Sequence, residues 1–119
     1  VCTLTYLLND DGYELFFNRD EQRSRALAIP PKYDQSRQAL YPVDPQGEGT
    51  WIAVNKQGLT LALLNNYQAT TKVNQASLQA NTTTAKVSRG QLILSLLAGK
   101  GSVSEQLQTM NVKENACRG

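Results

Sequence analysis

The chain has 119 residues, 40% of them hydrophobic, which suits a single domain able to bury a modest core. Its 12 basic and 10 acidic residues leave a net charge of +2, with no strong pull toward nucleic acid or anionic lipid. Two cysteines near opposite ends and no histidine give neither a disulfide framework nor a metal-ligand spacing, and the longest apolar run, Leu59 to Leu64, is far short of the ~20 residues of a membrane helix, so the expectation is a cytoplasmic protein with no metal or other cofactor.

Residues 2–8 alternate, with Cys2, Leu4, Tyr6 and Leu8 on one face and Thr3 and Thr5 on the other, which is a strand pattern. Asn9-Asp10-Asp11-Gly12 follows, and Asp-Gly favours a type I′ turn because both of its central residues take positive φ. Tyr13 to Phe17 resumes the strand, so residues 2–18 read as a hairpin. All four prolines (Pro30, Pro31, Pro42, Pro45) fall within 26–50 together with Gly47 and Gly49, and this stretch reads as a long functional loop. Trp51 to Asn55, a turn at Lys56-Gln57-Gly58, and Leu59 to Leu64 read as a second hairpin, apolar on both faces and therefore covered on both sides.

Residues 65–85, rich in Asn, Gln, Thr and Ala, lack periodicity and read as a polar loop; without a secretory signal, the Asn81-Thr82-Thr83 sequon is accidental. Ser88 to Gln91 forms a capping box before Leu92, Ile93, Leu96 and Leu97, predicting a helix over roughly 89–98 that stops at Gly99 and Gly101. A second box, Ser102 to Glu105, opens a short helix with Val103, Leu107 and Met110. The order of two strands, two strands and two helices predicts an α+β or layered α/β fold built on antiparallel hairpins.

Cys2 is the first candidate for chemistry. A thiol needs a base to act as a nucleophile, and without histidine the base at hand is the α-amine of the same residue once residue 1 is removed. Such an amine has an ordinary pKa of roughly 7.7–8, and an N-terminal amine can activate its own side-chain nucleophile. The competing reading is a small buried residue at the start of a strand.

Asn18-Arg19-Asp20-Glu21 after the first hairpin, Val1-Cys2-Thr3-Leu4-Thr5 at the start, Gly49-Thr50-Trp51-Ile52-Ala53-Val54-Asn55, Gly58-Leu59-Thr60, Leu63-Leu64-Asn65 and Ser88-Arg89-Gly90 come in that spacing over residues 1 to about 97. The sequence resembles the N-terminal part of the NRDE family, relatives of the transport-and-Golgi-organisation-2 proteins. More distantly it resembles the cysteine N-terminal-nucleophile (Ntn) hydrolases that cleave bile-salt conjugates and penicillin V, which start Met-Cys-Thr, follow a hairpin with an Arg-x-x-Asp motif, and later carry Asn-x-x-Gly-Leu leading to Leu-Asn. Here Asn55-Lys56-Gln57-Gly58-Leu59 and Leu64-Asn65 fit the last two pieces, while Arg19 and Asp20 are adjacent instead of three apart.

That resemblance implies an αββα sandwich, of which the chain supplies a part, and an amidohydrolase acting on a small-molecule C–N bond through Cys2 and a thioester. It implies that Asn65 donates its side-chain amide to the oxyanion, where the residue-level alternative is a strand-ending turn. Arg19 and Asp20 are expected as the polar pair beside the thiol, with Asn18 and Glu21 as substrate-binding neighbours and substitutes for them. Hairpin geometry leaves the choice open: an even loop puts Arg19 and Glu21 on the face of Cys2, an odd loop or bulge puts Asn18 and Asp20 there. A solvated charge cluster from Arg19 to Arg25 is the plainer reading. The alternative function implied by the family is non-enzymatic haem or lipid handling or trafficking, in which haem ligation falls to Cys2, Cys117, Met110 or a tyrosine; an inactive truncated relic is the third.

Overall fold

A computed structural model describes residues 2–65, 88–99 and 101–110. The polar stretch beyond Asn65, the Asn81 sequon and Cys117 lie outside the described residues, as does the side chain of Met110. The fold is α+β. Strands β1 (Thr3–Asn9) and β2 (Gly12–Asn18) make one two-stranded antiparallel sheet. Strands β3 (Ile29–Asp34), β4 (Ala39–Val43), β5 (Ile52–Asn55) and β6 (Thr60–Ala62) make a four-stranded antiparallel meander. Helices α1 (Arg89–Ala98) and α2 (Val103–Met110) follow.

The first hairpin forms as its alternation predicts, but with a different turn. Asn9 pairs with Gly12, so Asp10 and Asp11 occupy the turn, and neither has positive φ; only Gly12, at φ +149°, leaves the ordinary region. The side chain of Asn9 accepts the main-chain N–H of Asp11 at 3.0 Å and closes the turn without the I′ geometry. This two-residue loop sets the register, Thr3 opposite Asn18 and Leu4 opposite Phe17.

Residues 26–50 are not a loop throughout: β3 and β4 form a third hairpin there. The prolines are compatible with it because of where they sit. β3 is an edge strand, and the register shifts between Ile29 and Lys32, where Pro30 and Pro31 lie. Pro42 lies beyond the β4–β5 ladder, which runs only through Ala39–Asn55 and Leu40–Val54. Asp34 organises the turn, accepting from the main-chain N–H of Ser36 at 2.9 Å, the Ser36 hydroxyl at 2.7 Å, the Arg37 guanidinium at 2.9 Å and the Tyr41 hydroxyl at 2.6 Å. These donors, the Tyr41 hydroxyl first, hold the Asp34 carboxyl well below the usual carboxylate range.

The second predicted hairpin is β5–β6. Asn55 Oδ1 accepts from the N–H groups of Gln57 and Leu59, and Gly58 takes φ +86°. Both helices start at the boxes read from sequence: Ser88 accepts from Gln91 N–H, while Ser102 and Glu105 exchange hydrogen bonds reciprocally.

One face of the larger sheet, through Ala39, Tyr41, Ala53, Leu61 and Leu63, packs under Ile93, Leu94 and Leu97 of α1. Burying each of those helix side chains is worth roughly 1.5–3 kcal/mol. The other face meets the first hairpin, with Tyr13 and Leu15 of β2 and Leu40, Ile52 and Val54 of the sheet around an apolar space of about 390 Å³. The Tyr13 hydroxyl hydrogen-bonds Gly58 O and Thr60 Oγ1 and pins β2 across this gap. Covering on both sides is what the doubly apolar second hairpin predicts. The described residues thus stack as helix, sheet and hairpin, with only the β2 side of the hairpin against the sheet: Leu7 and Phe16 on its outer face remain exposed, and so do Tyr6 and Leu8 of β1 on the inner one. Among them, no helix is long and apolar enough to cross a membrane.

Candidate active site

A cleft of about 310 Å³ opens where the end of the first hairpin, the β4–β5 connection, the segment after β6 and the start of α1 converge. Cys2, Arg19, Glu21 and Asn65 all line it. The hairpin register explains the first three. Continued one step beyond Thr3–Asn18, it sets Cys2 opposite Arg19, and Glu21 follows on the same side. The even-loop arrangement is therefore the observed one, with Arg19 and Glu21 on the Cys2 side of the cleft.

Asn18 sits in the register position facing away from Cys2, is exposed, and does not line the cleft. Asp20 does not line it either, but its main-chain carbonyl accepts from the Cys2 thiol at 3.8 Å. A hydrogen bond to the terminal ammonium is the chief cause that holds the Asp20 carboxyl below its ordinary range.

The residue that organises the cleft is Asp44, which the sequence reading passed over. It is buried between β4 and the connection to β5, where its main chain and that of Gly49 pair across a tight turn. Arg19 Nη2 donates to Asp44 Oδ2 at 3.2 Å, and Arg25 Nε donates to the same oxygen at 3.0 Å. Gln46 N–H donates to Oδ1 at 3.1 Å. Burial opposes ionisation of Asp44, but the hydrogen bonds from Arg25 and Gln46 and the charges of Arg25 and Arg19 outweigh it and hold the carboxyl below its usual value. Glu21 adds a second acceptor, 3.5 Å from Arg19 and 3.8 Å from Arg25. On its other side the Arg19 guanidinium lies 4.2 Å from the centre of the Trp51 ring. The cluster from Arg19 to Arg25 is thus partly a built wall, since Arg19 and Arg25 both turn inward onto Asp44.

Two of the sequence landmarks meet at the opposite wall. A Cβ at Gly49 would come 2.5 Å from the carbonyl carbon of Gly90, and one at Gly90 would come 2.9 Å from Thr50 N. Only glycine at both positions permits this backbone approach. Thr50 N–H donates to Gly90 O at 3.4 Å, and the Gln91 side chain donates to Glu48 O at 2.6 Å. These contacts seat the first turn of α1 against the β4–β5 connection and make Ser88, Arg89 and Gly90 part of the cleft. Asp44 left no local signal because its partners lie 19 and 25 residues away in the chain. Arg89 stood in plain view within a motif, but capping alone accounted for its neighbours.

Chemically, the cleft offers one thiol, the side-chain amides of Gln22 and Asn65 and three arginines, but no cluster of metal-ligating residues among the described residues. Comparison with curated proteins and with solved structures found no match. The family profile described as Transport and Golgi organisation 2 matches residues 2–119. The segments that form the cleft, from Cys2 to the start of α1, all fall inside that match, and the chain belongs to the Transport and Golgi organisation 2 family.

Proposed function

We propose that the protein is an Ntn-type hydrolase of amide C–N bonds, with Cys2 as the nucleophile. The observation that carries this reading is the convergence of Cys2, Arg19 and Asn65, from three separate segments, on one cleft. Once residue 1 is removed, the α-amine of Cys2 takes the thiol proton, and the sulfur attacks the amide carbon to form a C–S bond. Negative charge develops on the carbonyl oxygen, and the Asn65 amide donates to it, a contribution of about 3–4 kcal/mol for one such donor. The ammonium then returns the proton to the leaving nitrogen, the C–N bond breaks, and a thioester remains. Water, deprotonated by the same amine, attacks the thioester; the C–S bond breaks, the acid departs and the thiol is restored. General base catalysis of this kind contributes roughly 10²–10⁴-fold.

Arg19 is the positioning residue. Asp44 and Trp51 fix its guanidinium, which places a cation at the end of the hairpin that carries the sulfur. A panel of short acyl p-nitroanilides tests the reading: the mature protein releases p-nitroaniline and the Cys2→Ala variant does not. Equal release by Cys2→Ala overturns it.

A further inference from the structure

The cleft that holds Cys2 has three arginines, Arg19, Arg25 and Arg89, and two carboxylates, Glu21 and Asp44. Both carboxylates are committed to Arg19 and Arg25. Arg89 has no acidic partner among the described residues, so the cleft keeps one uncompensated positive charge on the wall opposite the hairpin. The wall is fixed, because the approach of Gly90 to Gly49 leaves no room for even a methyl group between α1 and the β4–β5 connection. Ser88 satisfies the N–H of Gln91, while the N–H groups of Arg89 and Gly90 have no acceptor among the described residues. The helix dipole adds to the same positive field. At about 310 Å³ the cleft is at the small end of the range for ligand sites.

We infer that Arg89 is a specificity-determining residue that receives an anionic group, a carboxylate in the simplest case, on a small amide whose carbonyl carbon faces Cys2. This rests on the hydrolase reading above, but binding can be measured apart from turnover. An arginine beside a carboxylate forms charge-assisted, often bidentate hydrogen bonds. A neutral analogue of the same shape forgoes them and leaves Arg89 without a counter-charge.

Trp51 is the only tryptophan and lines the cleft, so its fluorescence reports occupancy directly. The full chain is titrated with N-acetylglycine, which carries its carboxylate on the amine side, with succinamic acid, which carries it on the acyl side, and with neutral N-acetylglycinamide. At least one anion is expected to bind about tenfold or more tightly than the neutral amide, a difference of about 1.4 kcal/mol, and the better of the two tells which side of the scissile bond Arg89 serves. Arg89→Gln is expected to remove the preference, and Arg89→Lys to keep most of it. Equal affinity for charged and neutral ligands, no saturable change with any of them, or a preference that survives in Arg89→Gln overturns the inference. A retained charge preference with no hydrolysis of any amide instead overturns the hydrolase reading and leaves the anion subsite standing.

Discussion

Arg19 is held between Trp51 and Asp44, its guanidinium 4.2 Å from the ring centre and its Nη2 3.2 Å from the Asp44 carboxylate. Neither partner is near it in sequence, and each comes from a different side of the β4–β5 connection. A cation fixed on two sides keeps one position while a ligand comes and goes. This lets the end of the first hairpin, where Cys2 lies, act as a rigid wall of the cleft.

Asp44 is the keystone of that wall, and its side chain is 12% exposed. Asp44→Asn keeps the shape but removes the charge that neutralises Arg19 and Arg25. The expected cost is about 2–4 kcal/mol, between the loss of hydrogen bonds to charged groups and the breaking of a buried pair. Urea unfolding of the two proteins measures it; a change under 0.5 kcal/mol would mean that solvent, not Asp44, compensates the arginines.

Gly49→Ala sets a methyl carbon against the backbone of Gly90 and Gln91, where no flexible side chain can give way. The start of α1 must lift from the β4–β5 connection, at a cost of about 1–3 kcal/mol. Trp51 fluorescence should shift as the cleft opens. Gly58→Ala, where a Cβ meets nothing within 4 Å, is the control for backbone strain alone, since Gly58 holds φ +86°.

Acid stability follows from Asp34 and Asp44, whose carboxyls are both held below the ordinary range in the folded protein. A depressed folded pKa means that the unfolded chain binds protons first. The stabilisation is therefore complete above the unfolded value of ~3.9 and drains away as pH falls below it toward the folded values. Urea midpoints are expected to be flat from pH 7 to about 5 and to fall steeply below about 4. Asp34→Asn should lower the midpoint at pH 7 yet flatten the acid limb; an acid limb as steep as that of the parent would place the titration elsewhere.

How much of this was legible in the residues differs by element. The first and last hairpins and both helices follow from period-2 alternation, Asn55-to-Gly58 turn chemistry and two capping boxes, all local signals. The β3–β4 hairpin was hidden because Pro30, Pro31 and Pro42 look like strand breakers until the strand order puts two of them at a sheet edge and the third beyond a ladder. Cys2, Arg19, Glu21 and Asn65, singled out in the sequence, line the cleft, while which of Glu21 and Asp20 shares the face of Cys2 turned on one residue of loop length. Asp44 was illegible because the arginines that define its role lie 19 and 25 residues away.

Asn65→Ala separates chemistry from folding. The side chain lies after β6, outside the core cluster, so thermal stability should change little. Turnover of a p-nitroanilide is expected to drop by roughly 10²–10³-fold if the amide donates to the oxyanion. A drop of less than threefold would assign that donation to other groups.

The central claim is that the sulfur of Cys2 works beside its own free amine. Peptide mapping by mass spectrometry after treatment of the native protein with substoichiometric iodoacetamide at neutral pH tests it most directly. The account predicts an N-terminal peptide that begins at Cys2 and carries the label, with Cys117 unmodified. A peptide that retains a residue ahead of Cys2, or equal labelling of the two cysteines, contradicts it.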